Sequence, residues 1–299
     1  MANRKRVNVS RKPTTGAKAP LGQNFLNDPG AARKIVDALG DVRAATVIEI
    51  GPGRGVLTDL LAVRAGRLIA IELDRVLAAQ LRMRYATRSN VEVIEGNVLT
   101  VDFANVIRRR PGPLLNQGPN AMLDETLAKA HVVGNLPYYI TSDILLHLVR
   151  FHAYLETIVI MVQREVAERI AAKPGSRDYG LLSATAQLYA KVEKLFTLPP
   201  GAFAPAPKVH STVLRMTIAP QIEALRIEEA PCVSFLKLIF AQKRKTLFNN
   251  LRERYDDAAI KGALKEAKVK PDVRAEALDL KHTAEVFRRL VSQSSVLGP

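Results

Sequence analysis

From residue 46 onward, short apolar runs alternate with segments whose apolar residues recur at helical spacing. Such alternation predicts a parallel sheet covered by helices. Runs that are apolar on both faces, such as Ile158-Val159-Ile160, are typical of buried parallel strands. The predicted strands are 46–50, 67–71, 91–94, 131–133 and 157–162. The predicted helices lie near 55–65, 75–86 and 141–150.

The rest of the chain divides by composition. Residues 208–218 are rich in β-branched side chains and predict a further strand at or near one edge of the sheet. Proline and glycine make 111–120 a surface loop, part of an insertion over 111–130. A break at 219–231 leads into a wholly helical segment. We therefore predict an α/β domain over 21–219, a smaller all-helical domain over 220–299 and a separate arm over 1–20.

The charge of the chain points to a polyanionic partner. Lys and Arg number 44 against 29 Asp and Glu, a net charge of +15, and such a surplus is typical of nucleic-acid binding. Residues 1–20 carry only basic charges, which predicts a basic mobile arm. A second basic cluster shares a segment with helical apolar spacing: Lys237, Lys243, Arg244, Lys245, Arg252 and Arg254. A solvated helix face is the simpler alternative for that cluster.

Other features narrow the class of protein. No stretch approaches the roughly 20 apolar residues of a membrane-spanning helix. With a single cysteine, Cys232, the chain cannot form an internal disulfide or a zinc site built on cysteines. The five histidines show no spacing typical of metal ligands. We therefore expect a cytoplasmic protein, a monomer without a metal and without a membrane partner.

A glycine-rich turn follows the first predicted strand. Gly51, Gly53 and Gly55 allow the backbone to turn tightly and to approach a ligand closely. Glu72 ends the next strand about twenty residues later, where doubly wound sheets place the carboxylate that binds ribose hydroxyls. Together, the glycine turn and Glu72 predict a ligand with an adenosine-like ribose. NAD is the rival ligand, but G-x-G-x-G spacing differs from the G-x-G-x-x-G of dinucleotide sites.

The motif Gly134-Asn135-Leu136-Pro137-Tyr138 directly follows the fourth strand. If strands one and four are neighbours, it lies beside the glycine turn at the switch point of the sheet. The Asn135 side-chain oxygen and the Leu136 carbonyl can accept both N–H groups of an aromatic amine and aim its lone pair. Tyr138 can stack on the base. Catalysis would then be alignment and polarisation, without a strong general base. The alternative is a simple strand ending.

A proline-stiffened loop, 199–209, carries Phe203 and Lys208. Phe203 is a candidate for the opposite face of a base sandwich, with Lys208 near a phosphate. A core anchor for the loop is an alternative of nearly equal weight.

Five motifs occur in order: 22–26 (G-Q-N-F-L), the E-I-G-P-G-R-G turn, N-L-P-Y, F-A-P-A-P-K-V-H-S and 243–247 (K-R-K-T-L). The series resembles the small-subunit branch of the rRNA adenine dimethyltransferase family, from about Gly22 into the C-terminal helices. The resemblance implies a Rossmann-like methyltransferase sheet flanked by helices and a helical rRNA-binding C-terminal domain. It also implies S-adenosylmethionine as methyl donor and dimethylation of two adjacent adenosines near the 3′ end of small-subunit rRNA, in an immature 30S-type particle.

By the same resemblance, residues around the methyl donor are Asn24, Leu26, Gly51, Glu72, Asn97 and Asn135. The family usually has aspartate at position 97, and Asn97 can still bind the adenine ring through its amide. Candidate rRNA-binding residues are Lys208, Lys243, Arg244, Lys245 and Arg252. Three alternatives stay open: the large-subunit dimethyltransferases of macrolide resistance, a DNA adenine methyltransferase, and a ribosome assembly factor without catalysis.

Overall fold

A computed structural model describes residues 24–109 and 129–294. The predicted basic arm, the loop at 111–120 and residues 295–299 lie outside these ranges. The strands are β1 (Phe25–Leu26), β2 (Thr46–Ile50), β3 (Arg67–Glu72), β4 (Val91–Glu95), β5 (Ala130–Asn135), β6 (Leu155–Gln163), β7 (Ala190–Leu198), β8 (Phe203–Ala204) and β9 (Ser211–Ile218).

The helices in the first part of the described chain are α1 (Pro29–Asp37), α2 (Val56–Arg64), α3 (Arg75–Arg84), α4 (Phe103–Arg108), α5 (Thr141–Val149), α6 (Arg164–Ile170) and α7 (Leu181–Tyr189). After the last strand come α8 (Ile222–Leu225), α9 (Glu229–Ile239), α10 (Leu247–Leu251), α11 (Asp257–Glu266) and α12 (Leu280–Ser294). No helix in either described range is long and apolar enough to cross a bilayer.

The large sheet has the order β4-β3-β2-β5-β6-β9-β7. Strands β2 to β6 pair in parallel, and β9 is antiparallel to both β6 and β7. The five predicted parallel strands are confirmed, and the predicted later strand is β9, second from the edge. The edge strand β7 was not predicted, because its exposed charged residues, such as Lys191 and Lys194, interrupt any apolar run.

The chain order reverses between β2 and β5. It runs outward from β2 through β3 to β4 and then crosses back, so that β5 pairs with β2. In doubly wound sheets, ligands bind in the crevice beyond the carboxyl ends of the strands at such a reversal. The glycine turn after β2 and the N-L-P-Y motif after β5 therefore lie side by side, as the sequence predicted.

Gly134 is what allows these two strands to lie so close. A Cβ at this position would lie 2.6 Å from the Ile50 backbone oxygen and 3.2 Å from the Ile50 Cβ. Any side chain here would force β2 and β5 apart, and with them the two loops that form the site.

The helices cover both faces of the sheet over two hydrophobic clusters. The larger cluster joins sheet residues such as Ile160 to Leu236 of α9, Ile260 of α11 and Leu290 of α12. The helical C-terminal region is thus confirmed, and it packs on the same core as the sheet. A division into separate domains near residue 219 stays a prediction.

Candidate active site

The glycine turn brings the backbone to the floor of a cavity. Gly51, Gly53 and Gly55 all have positive φ, at 65°, 57° and 86°. At Gly53 a Cβ would also lie 2.8 Å from the Phe25 ring, so a residue with a side chain would displace that ring. Gly55 is the residue before α2, whose N-terminus therefore begins at this turn.

Glu72 is held rigidly at the end of β3. One carboxylate oxygen accepts from the Gly53 backbone N–H at 2.9 Å, and the other accepts from the Asp74 N–H at 2.9 Å. Asp74 caps α3 through its own side chain. The carboxylate is 2% exposed and lines the cavity, so its orientation is set before any ligand binds.

Glu49 is a second buried carboxyl of the cavity wall, and sequence reasoning missed it. It lies on β2, is 1% exposed, and its Oε2 has no hydrogen-bond partner within the described structure. Burial raises the pKa of Glu49 to about 8, and the charges of Glu72 and Asp59 act in the same direction. The available signal was a single acidic residue inside an apolar strand.

The raised pKa makes stability depend on pH. Between pH 5 and 8 the folded protein keeps the Glu49 proton while the unfolded chain releases it, so rising pH lowers the free energy of unfolding. A Glu49→Gln variant has no titrating group at this position and therefore lacks this pH dependence. We expect the free energy of unfolding of the variant, relative to that of the unaltered protein, to rise by about 2 kcal/mol between pH 6 and pH 8. Urea unfolding of both ligand-free proteins across this range measures the difference, and a constant difference would contradict the assignment.

Asn135 lies at the end of β5, opposite the N-terminal motif. Its Nδ2 donates to the backbone carbonyl of Asn24 at 2.8 Å. This bond identifies the amide nitrogen, and it fixes the plane of the side chain, leaving Oδ1 as the acceptor on the other side. Leu136 follows, 1% exposed, with its N–H bonded to the Met161 carbonyl at 3.0 Å.

Tyr138 stands on the turn that follows Pro137 and is half-buried. Its hydroxyl forms a 2.6 Å hydrogen bond with the Ser211 hydroxyl, at the start of β9. Burial raises the pKa of Tyr138, against the opposing effect of this bond. Ser211 ends the F-A-P-A-P-K-V-H-S motif, but sequence reasoning did not predict its contact with Tyr138, because no local pattern marks a contact between two distant loops.

The N-terminal motif and the proline loop form a small sheet of their own. Strands β1 and β8 pair antiparallel, with Leu26 opposite Phe203. Phe203 is only 4% exposed and belongs to the second hydrophobic cluster. The structure thus has Phe203 as a core anchor of the loop, and its stacking on a base stays a prediction that requires the ring to leave this core.

The cavity has a volume of about 1060 Å³, including space open to solvent. The structure brings most of the predicted residues to its wall: Asn24, Leu26, Gly51, Gly53, Glu72, Asn97, Asn135, Leu136 and Tyr138. Phe25 and Arg54 also line it, with the Arg54 guanidinium carbon 4.7 Å from the centroid of the Phe25 ring.

Asn97 follows β4 at the opposite side of the cavity from Asn135. Its Oδ1 accepts from the Leu99 N–H at 3.0 Å and caps a short 3-10 turn. The oxygen is therefore engaged by the backbone, and the Nδ2 donor is the part of the amide offered to a ligand.

The predicted rRNA-binding residues lie elsewhere. All four lysine and arginine side chains at positions 208, 243, 244 and 245 are exposed. Lys243 also donates a hydrogen bond to the Arg177 carbonyl. Arg252 is paired with Asp257 at 2.9 Å. Neither described range contains a group of three or more His, Cys, Asp and Glu that could hold a metal ion.

The sheet order, the glycine turn, the ribose-type carboxylate and the asparagine at the reversal define a Rossmann-like methyltransferase. Residues 15–292 match the model of the ribosomal RNA adenine dimethylase family, and the chain belongs to that family. The predicted fold class and enzyme class are thereby confirmed, and an NAD-dependent oxidoreductase is excluded.

Relatives and solved structures agree with this family assignment. The chain is 60% identical to the ribosomal RNA small subunit methyltransferase A of Koribacter versatilis, over 91% of this chain and 94% of the relative. It is 55% identical to that of Acidobacterium capsulatum, over 93% and 92%. A dimethyladenosine transferase from Plasmodium falciparum has the same fold, with a TM-score of 0.68 and 22% identity over 91% and 98%. The 23S rRNA methyltransferase ErmE has a TM-score of 0.62 and 25% identity over 90% and 100%.

Proposed function

We propose that the protein transfers methyl groups from S-adenosylmethionine to the 6-amino groups of two adjacent adenosines near the 3′ end of small-subunit rRNA. The observation that carries the proposal is the juxtaposition of Asn135 with the Glu72 carboxylate across one cavity. The high identity to small-subunit methyltransferases supports the choice of subunit. The substrate would be an immature small-subunit particle in the cytoplasm, and the protein would act as a monomer.

The residues present suit this methyl donor. Two buried carboxyls, Glu49 and Glu72, line a mostly apolar cavity, and one oxygen of Glu49 lacks a partner. A ligand with a positive charge and hydroxyl donors satisfies both groups. Glu72 would accept from the ribose hydroxyls, and Asn97 would donate its amide N–H to a ring nitrogen of the adenine. When bound, the donor supplies a methyl on a sulfonium, which is a good leaving group.

Asn135 and Leu136 would orient the acceptor. The lone pair of an adenine 6-amino group is delocalised into the ring. If the Asn135 Oδ1 and the Leu136 carbonyl each accept one N–H, the nitrogen can pyramidalise and direct its lone pair at the methyl group. The bond from Asn135 Nδ2 to the Asn24 carbonyl keeps that oxygen in place, so little reorganisation is needed during transfer.

No strong base is required in this scheme. The amine becomes a methylated ammonium, which is acidic enough to lose its proton to water. The target base must leave its helix to reach the cavity, since its amine is not accessible while stacked. Tyr138, half-buried at the wall, would then stack on it.

Arg244 and Lys245 would bind rRNA phosphates, because both are exposed and neither has a carboxylate partner within the described residues. We expect the double alanine variant to weaken binding to small-subunit rRNA and to reduce the slope of log K against log salt by about two. A matched control replaces Arg43 and Arg64, which are paired with Asp41 and Asp37. An unchanged slope, or an equal change in the control, would contradict phosphate contacts by these two side chains.

The choice of subunit is tested by incubating the protein with labelled S-adenosylmethionine and subunits from cells that lack the modification. Label in the small-subunit rRNA alone is the expected result. Label in the large subunit would favour the alternative of a large-subunit dimethyltransferase of the macrolide-resistance type; the 23S rRNA methyltransferase ErmE has a similar fold. Binding to small subunits without any label would overturn catalysis and leave the role of an assembly factor.

A further inference from the structure

The hydrogen bond between Tyr138 and Ser211 joins two loops that approach the cavity from different parts of the chain. Tyr138 follows β5, whereas Ser211 begins β9, two strands further along the sheet. Because β9 runs antiparallel to β6, its first residue lies at the same edge as the carboxyl ends of the parallel strands. The two hydroxyls are 2.6 Å apart.

Ser211 is a rigid point of attachment. It is fully buried, and its backbone is paired with Gln163 on β6 and with Leu198 on β7. The loop that returns to it, 199–210, is the same loop that pairs with β1 through Phe203. The position of the Ser211 hydroxyl is therefore fixed by strands on both sides.

Tyr138, in contrast, has little else to fix it. It lies on a 3-10 turn of three residues, its ring is half-buried, and the next residue, Tyr139, is 64% exposed. A tyrosine held both at its Cα and at its hydroxyl keeps the long axis of its ring in one place. A free hydroxyl would leave the side chain several rotamers.

We propose that Ser211 is a positioning residue for methyl transfer: it fixes the Tyr138 hydroxyl, and so holds the ring where the target adenine stacks. The inference rests on the proposed function. The hydrogen bond between Ser211 and Tyr138 contributes alignment alone, because neither hydroxyl gains or loses a proton in the reaction. Alignment of the base contributes to the rate of transfer more than to the binding of rRNA or of the methyl donor.

The test is a double-mutant cycle of Ser211→Ala and Tyr138→Phe, with transfer to small subunits as the assay. We expect each single variant to lower kcat about 10-fold, with the KM for small subunits and the affinity for S-adenosylhomocysteine within twofold of the unaltered protein. The double variant should lose no more than either single one, because each removes the same bond. Multiplied losses, or a rise in KM alone, would overturn the proposal.

Thr212 provides the matched control. It follows Ser211 on β9, is buried as well, and its hydroxyl pairs with that of Thr197 at 2.9 Å rather than with a residue of the site. We expect Thr212→Val to keep the unaltered kcat, and thermal melting of every variant separates loss of stability from loss of alignment. A Thr212→Val variant as slow as Ser211→Ala would show a general effect of packing in β9 and overturn the proposal.

A spectroscopic measurement tests the contact without catalysis. In protein labelled with ¹³C at the tyrosine Cζ, the Tyr138 signal, assigned through Tyr138→Phe, should shift in Ser211→Ala and stay in place in Thr212→Val. An unmoved signal would overturn the proposal. If the unaltered protein methylates no small subunits, the proposed function fails and this inference falls with it; if it does, and Ser211→Ala is equally fast, the inference alone fails.

Discussion

An Asn135→Ala variant is expected to transfer methyl groups about 10²–10³-fold more slowly than the unaltered protein, while it still binds S-adenosylhomocysteine and small subunits. The loss is that of one preorganised acceptor in a mostly apolar cavity. Asn135 is held in place by the Asn24 carbonyl, so its Oδ1 is oriented before the base arrives. Single-turnover transfer to small subunits, beside binding titrations, measures both quantities.

Asn135→Asp separates orientation from the mere presence of an oxygen. Aspartate keeps an acceptor but has no N–H for the Asn24 carbonyl, and it brings a charged oxygen to that carbonyl instead. We expect a comparable loss of rate. Asn249→Ala, at an exposed asparagine of α10, is the control. Full activity of either Asn135 variant would contradict the proposed role of the Asn135 Oδ1 as an acceptor for the target amine.

Glu72→Ala is expected to weaken the binding of S-adenosylhomocysteine by about 10²-fold. The variant loses the charged acceptor for two hydroxyls, and it leaves the N–H groups of Gly53 and Asp74 without the partners they have now. Isothermal titration calorimetry of the ligand-free protein gives the affinity directly, without any rRNA.

The control for this variant is Glu95→Ala. Glu95 is the partner of Glu72 across the β3–β4 pair, but it is exposed and paired with Arg82 at 3.3 Å. We expect its removal to change the affinity less than twofold. Equal losses in both variants would show that a negative surface, and not a ribose contact, accounts for binding.

The parallel strands and the site at their ends could be predicted because local patterns specify both. Buried strands need continuous apolar runs, and a ligand-binding turn needs glycines at positive φ, which Gly51 and Gly53 supply. The spacing from Gly51 to Glu72 follows from the length of one helix and one strand. These features depend on neighbours in sequence.

What the sequence did not reveal depends on neighbours in space. The edge strand β7 is stabilised by pairing with β9 and carries charged residues on its exposed side. The raised pKa of Glu49 follows from complete burial beside Glu72. The burial of Phe203 and the bond between Tyr138 and Ser211 arise from loops that meet only in the folded chain.

The central claim is that a methyl group from a donor in this cavity reaches the 6-amino group of an adenine held at Asn135. Its most direct test is nucleoside analysis of small-subunit rRNA after incubation with methyl-labelled S-adenosylmethionine. The account predicts that the label appears in N6,N6-dimethyladenosine from two adjacent positions near the 3′ end, and that Asn135→Ala slows its appearance about 10²–10³-fold. Label on a ribose, on a ring carbon or on another base would contradict the account.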